Sequence, residues 1–306
     1  MLRVQFQYLP VIVVFLCASA WGLFWLPLRA FESAGIDAGW ATLAQFVFPL
    51  LLLLPLAIYR RLVGRATGIR DAVTGLLIGG SFVLYFDSLL LTEVARALIL
   101  FYVTPMWSTL LEVGVMRRAL SKNRVLALAL GLMGLLVILG GRTGIPLPKN
   151  AGDIMALISG ILFALGTTRI RMVGQKSVFE HSFGFFVYGS VVALTIAILP
   201  IEAVGAAPKL SDVVFLLPWM VLLATAFLIP IVWGILWGSQ KMDPARLGIL
   251  LQMEAVVGVG SAAILTNEPF GLPEISGTLL VIGAGIAEVT GKDIPSSRVV
   301  SADGRL

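Results

Sequence analysis

The sequence predicts an all-α integral membrane protein whose ten transmembrane helices form two inverted five-helix repeats. Three observations carry this expectation. Of 306 residues, 58% are hydrophobic and only 13% are charged, against about 25% charged in soluble domains, and the mean hydropathy is +0.99. Apolar runs near the length of a spanning helix, about 20 residues, recur ten times along the chain. Basic residues collect at alternate ends of those runs, and the alternation falls differently in the two halves.

Span 1 is expected over about 9–28. Its opening, with Arg3 before an apolar run and then Cys17-Ala18-Ser19-Ala20, has the look of a signal peptide. The run continues through Trp21-Gly22-Leu23-Phe24-Trp25, however, longer than the usual apolar core of such a signal, so it reads as a retained helix. Spans 2 to 4 follow at about 39–58, 72–91 and 95–115. Only Thr92-Glu93-Val94 separates spans 3 and 4, which requires a tight turn. Spans 5 to 10 fall at about 125–141, 152–168, 182–200, 213–237, 246–266 and 275–290. No stretch long enough for a sizeable soluble domain is left over.

Orientation comes from the Lys and Arg residues. With the N-terminus inside, 17 of the 22 reach the cytoplasmic side, in the loops near 60–70, 117–124, 169–176 and 241–246 and near the termini. The outer side receives Arg29, Arg96, Arg142, Lys149 and Lys209. This asymmetry is the positive-inside pattern, and it places both termini in the cytoplasm. Basic loops follow spans 2 and 4, then spans 6 and 8. A unit with an odd number of spans, repeated in tandem, inserts upside down the second time. The expected units are residues 1–145 and 146–292, followed by a cytoplasmic tail at 293–306. Ala95-Arg96-Ala97-Leu98 at the start of span 4 and Pro244-Ala245-Arg246-Leu247 at the start of span 9 are matching landmarks. Inverted repeats are a common build of secondary carriers, whose site lies at the repeat interface near the midplane.

Counts of reactive residues narrow the chemistry. A single cysteine, Cys17, permits no intrachain disulfide, and a single histidine, His181, cannot supply a two-histidine zinc helix. No cofactor or metal is expected. The net charge of +5 is accounted for by cytoplasmic loops rather than by a nucleic-acid partner, since no basic domain exists to carry one.

The segments Ala18-Ser19-Ala20-Trp21-Gly22, Leu91-Thr92-Glu93-Val94-Ala95-Arg96-Ala97-Leu98-Ile99, Thr104-Pro105-Met106-Trp107 and Asp243-Pro244-Ala245-Arg246 resemble, in order and spacing, the drug/metabolite transporter superfamily. The form resembled is the ten-helix one with two EamA-type halves, and the likeness covers essentially the whole chain. The stretch from Leu89 to Glu112 is most similar to the bacterial aromatic amino-acid exporters. The resemblance implies export of amino acids, with some tolerance for drug-like cations; the chain is expected to be a monomer in the bacterial inner membrane. The family usually has a proline beside the acid of span 9. Here Ala255 follows Glu254, so span 9 is expected to be straighter than the family pattern.

Glu254 is the leading substrate-binding candidate. It lies nine residues into span 9, about 13 Å deep at 1.5 Å per residue, and an ionisable group at that depth usually faces a cavity or a partner. Gly258 and Ser261 continue its helix face. The alternative is a structural, hydrogen-bonded acid. Tyr85 and Asp87 lie in the outer half of span 3 but point in different directions, and Tyr85 could instead be an interfacial anchor. Trp21 and Trp25 share a face of span 1, and Pro230, Trp233 and Trp237 share one of span 8. Aromatic walls suit an aromatic or cationic substrate, with packing as the competing role. Trp40 and Trp219, near helix starts, read as interfacial belt residues. Glu112 is expected in a rim salt bridge near Arg117, and His181 as a solvated helix-start residue. Gly75–Gly79 and Gly234–Gly238 permit close helix contact. Helix ends freed near Pro105 or Pro230 could meet a substrate carboxylate. A sugar-phosphate or nucleotide-sugar carrier would need a mid-span Lys or Arg, which the spans lack. An intramembrane enzyme would need a nucleophile with an adjacent base, and a purely structural subunit would have no use for a midplane acid.

Overall fold

The computed structural model describes residues 2–92, 94–140, 147–173, 176–199, 205–266 and 271–290, and among these every regular element is helical. The expected repeat boundary at 145/146 and the tail at 293–306 lie outside the described residues. Among the described residues, ten stretches are long and apolar enough to cross a membrane. Span 1 contains α1 (Leu2–Trp21) and leads into α2 (Trp25–Ser33); spans 2 and 3 are α3 (Ala38–Leu62) and α4 (Ala72–Leu91). Span 4 divides into α5 (Val94–Phe101) and α6 (Thr104–Gly114). Spans 5 to 7 are α7 (Lys122–Gly140), α8 (Ala151–Met172) and α9 (Val178–Ala197). Span 8 joins α10 (Leu210–Leu223) to α11 (Ile229–Lys241) through a π-helical turn at Ala224–Leu228. Span 9 divides into α12 (Pro244–Leu251) and α13 (Met253–Thr266), and span 10 is α14 (Leu272–Thr290).

Local sequence sets the helix starts. Asp71 and Asn150 accept the backbone N–H groups of Thr74 and Asp153 as N-caps. Ser177 and Glu180 form a capping box, so α9 begins one turn earlier than the hydrophobic run suggests. Pro105 and Pro244 sit in first turns, where their missing N–H leaves no bond unmade, and Pro230 follows the π-helical turn of span 8. Outward faces are apolar, with Leu51, Ile58, Phe215 and Trp219 among the exposed side chains, as a hydrocarbon solvent requires.

The spans pair across the two halves. Span 5 packs on span 10, span 3 on spans 6 and 7, span 4 on spans 6 and 9, span 2 on spans 7 and 8, and span 1 on spans 8 and 9. Adding five to each number, cyclically, carries this set of pairs onto itself, and consecutive spans alternate direction, so partners five apart run antiparallel. Small residues allow the close contacts. Gly79 faces the Phe185 carbonyl and Gly189 of α9, while Gly234 and Gly238 receive Cys17 and Val14 of α1. The loops after spans 2, 4, 6 and 8 lie at one end of the bundle, here termed the basic end.

Candidate functional site

Four departures from regular helix converge at mid-depth. In span 1, the N–H groups of Leu23 and Phe24 donate only three residues back, to Ala20 and Trp21. Span 4 is interrupted at Tyr102-Val103, just ahead of Thr104-Pro105, and span 9 at Gln252. Span 8 widens into its π-turn beside them, where Phe227 meets Trp21 and Phe24. Irregular backbone at membrane depth is tolerated only inside protein or along a cavity, and discontinuous helices commonly build carrier sites. The break in span 9 corrects the expectation of a straighter helix. The N–H of Gln252 donates to Ile249 O at 3.2 Å, and that of Ala255 to Gln252 O at 3.1 Å, so the backbone tightens without a proline.

Glu254 stands at this junction, in the first turn of α13, where the helix N-terminus favours negative charge. The Tyr85 hydroxyl donates to its Oε1 at 3.1 Å. The Tyr102 hydroxyl donates to its Oε2 and also approaches the Leu251 carbonyl at 3.1 Å. Both tyrosines are buried, and Tyr85 stacks on Phe101 with ring centroids 4.3 Å apart. Tyr85 is therefore a core group rather than an interfacial anchor. Span 1 closes one side of the site. A Cβ at Gly22 would lie 2.5 Å from the Glu254 carbonyl oxygen, so only glycine admits this approach.

An aromatic wall stands beside the acid. Trp21 stacks with Phe24 at 5.1 Å, Phe86 at 6.0 Å and Phe227 at 6.4 Å, and meets Phe82 edge-on at 5.6 Å. One turn along span 1, Trp25 Nε1 donates to Ser261 Oγ at 3.0 Å, and Ser261 donates to Gly258 O. Of the residues singled out from sequence, the structure thus gathers Glu254, Tyr85, Trp21, Trp25 and Ser261. It does not bring the others to them. Asp87 is buried against Thr42 of span 2, a direction set by its two-residue offset from Tyr85. Trp233 is 37% exposed and meets Phe179 near the basic end, and Trp237 lies one turn nearer that end.

Sequence reasoning missed Tyr102. A signal was present, because a tyrosine two residues before Thr104-Pro105 sits where the proline disrupts the span, and a buried hydroxyl there needs a partner. The phenylalanines around Trp21 were missed too, since apolar residues in a span look alike until they are packed.

Two expectations at the basic end are corrected. Glu112 is buried and bonded to Arg124 at 2.7 Å and to the Ala245 N–H at 2.7 Å, not in a rim pair with Arg117. The span-9 backbone covers it and turns a rim into an interior. His181 is buried, in a small cavity lined by Gly68, Asp71, Thr74, Lys176 and Glu180, because the capping box starts α9 before it. In the same cavity burial acts to raise the Asp71 pKa, but hydrogen bonds from Lys176 and Thr74 prevail and hold it at about 2.

Residues 9–140 match the EamA-like transporter family. Two curated relatives, the biotin transporters of Escherichia coli strain K12 and of Escherichia coli O157:H7, are each 23% identical over 259 residues, 81% of this chain and 83% of theirs. A crystal structure with 18% identity superposes with a TM-score of 0.71, covering 92% of this chain and 98% of its own, which shows a shared fold. The ten apolar spans and the EamA match support a multi-pass membrane transporter of small molecules rather than an enzyme. In the EamA-like first half lie Trp21, Tyr85 and Tyr102. Glu254 comes from outside the matched residues, so the candidate site joins that half to the second.

Proposed function

We propose that this protein exports amino acids, aromatic ones included, from the bacterial cytoplasm by alternating access of a central site between two inverted five-span units, residues 1–145 and 146–292. The supporting observation is the mid-span Glu254 carboxylate, held by Tyr85 and Tyr102 beside the Trp21 aromatic wall. Glu254 is the counter-ion for the substrate ammonium, and the wall receives its side chain. Freed backbone N–H groups at the helix breaks answer the substrate carboxylate. Facilitated diffusion and proton antiport both fit this arrangement. The basic end faces the cytoplasm by the positive-inside pattern, which reporter fusions after residues 65, 120 and 173 test. A periplasmic signal from any of the three overturns the alternation of the halves.

The relatives' biotin transport favours one other reading, a biotin-type substrate, whose ureido N–H groups could face Glu254. Flux of L-phenylalanine, biotin and a hexose phosphate into proteoliposomes separates the readings. If biotin or the sugar phosphate moves and no amino acid does, the proposal fails. In the conservative variant Glu254→Gln, shape and polar atoms persist while the charge is lost. Amino-acid transport should fall by about ten-fold or more, since a charge-assisted hydrogen bond contributes about 1.5–3 kcal/mol, with folded yield barely changed. Normal transport in this variant, with lowered yield in Glu254→Ala, assigns Glu254 a structural role.

A further inference from the structure

The geometry points to Tyr102 as the residue that couples occupancy of Glu254 to the bend of span 9. In an unbroken helix the Leu251 carbonyl accepts the N–H of Ala255, four residues on. Here that N–H turns to Gln252 O instead, which leaves the Leu251 carbonyl at the end of α12 without its helical donor. The Tyr102 hydroxyl supplies one, 3.1 Å away, while also reaching Glu254 Oε2. A phenol carries one proton for two acceptors, so strengthening one bond weakens the other. Tyr102 itself occupies the break in span 4, between α5 and α6, so one side chain links both interrupted spans.

A cationic group arriving at Glu254 takes over the carboxylate and sends the Tyr102 proton fully to Leu251 O, which stabilises the bent span. When the site empties, the proton is shared again between Glu254 and Leu251 O, as in this structure, so the break is held less firmly. Differential bonding in two states is what allows a ligand to shift a conformational equilibrium, and the linkage is reciprocal. Tyr85 bonds the same carboxylate but no helix end, so it shares the binding role and lacks the coupling one. This inference rests on Glu254 being the substrate site proposed above.

Tyr102→Phe keeps the ring and removes the hydroxyl. In proteoliposomes, L-phenylalanine exchange should show a Vmax about ten-fold lower with KM within about three-fold of the parent protein. Tyr85→Phe should mainly raise KM. Without substrate, hydrogen exchange of the Ala255 amide should slow by about ten-fold in Tyr102→Phe as regular helix re-forms. Unchanged or faster exchange at Ala255, or a KM rising in step with a falling Vmax, overturns the inference. If the parent protein moves no L-phenylalanine, the substrate reading fails on that arm, while the amide-exchange arm still decides whether Tyr102 holds the bend.

Discussion

The two ends of the bundle are tied by different means. At the basic end, Arg124 of α7 bonds Glu112 at 2.7 Å and grips Glu288 of α14 through Nη2 and Nε, at 2.8 and 2.9 Å. Arg246 shares Glu288 at 3.3 Å, and Arg118 pairs with Asp243, which lies 3.7 Å from Arg124. Three acids and three arginines from both halves thus form one network. At the opposite end, the Asp153 carboxylate takes Arg96, the Thr92 hydroxyl at 2.6 Å and the Lys149 N–H at 2.9 Å. Span 9 shows the same contrast: in α12 every residue but Arg246 is buried, whereas from Val256 to Leu265 none is fully buried. The alternating access proposed above would open each end in turn, and the difference teaches that the basic end has more bonds to break.

Removing the hub breaks the comparison most severely. Arg124→Met leaves Glu112 and Glu288 buried with fewer partners, and losing one member of a buried ion network is worth about 3–5 kcal/mol. A large drop in melting temperature of the purified protein is expected, and a melt within a degree or two of the parent would mean that the network does not hold that end. Asp153→Asn also breaks a buried ion pair, with Arg96, but only one, for a loss at the low end of that range, about 3 kcal/mol. Equal effects of these two substitutions, read in parallel melts, would erase the asymmetry between the ends.

Asp71 tests the basic end by pH. Its folded pKa of about 2 lies below an unfolded value of about 3.9, so its stabilisation is present above the unfolded value. It is lost as pH falls from about 4 to about 2. Asp71→Asn should lower stability by about 1 kcal/mol at neutral pH, because solvent screens Lys176 and Arg169. The two melting curves should converge near pH 2, and a gap that persists there contradicts the ion-pair origin. The smallest effect is expected at Trp25→Phe, which deletes one neutral hydrogen bond to Ser261 and changes stability by about 1 kcal/mol or less. A larger drop in a urea or thermal series would show that the opposite end depends on the contact of span 1 with span 9.

By itself the sequence determined the solvent, the number of spans, and the glycines at which helices approach. These are sums over composition and runs, and a bilayer enforces them whatever the packing. It also marked Glu254, because an acid at that depth stands out in an apolar run. Only the tertiary structure decided what surrounds that acid. Tyr85 and Tyr102 reach it across 169 and 152 residues of chain, distances over which no local periodicity carries information. The same holds for the choice among tryptophans. Trp21 and Trp233 look equivalent as deep aromatics in a hydrophobic run, and packing sent one to the aromatic wall and the other to Phe179. The bend in span 9 was hidden for a related reason. No proline marks it, and the Leu251 carbonyl it frees finds its donor on another helix, Tyr102 of span 4, whose position only the folded bundle fixes.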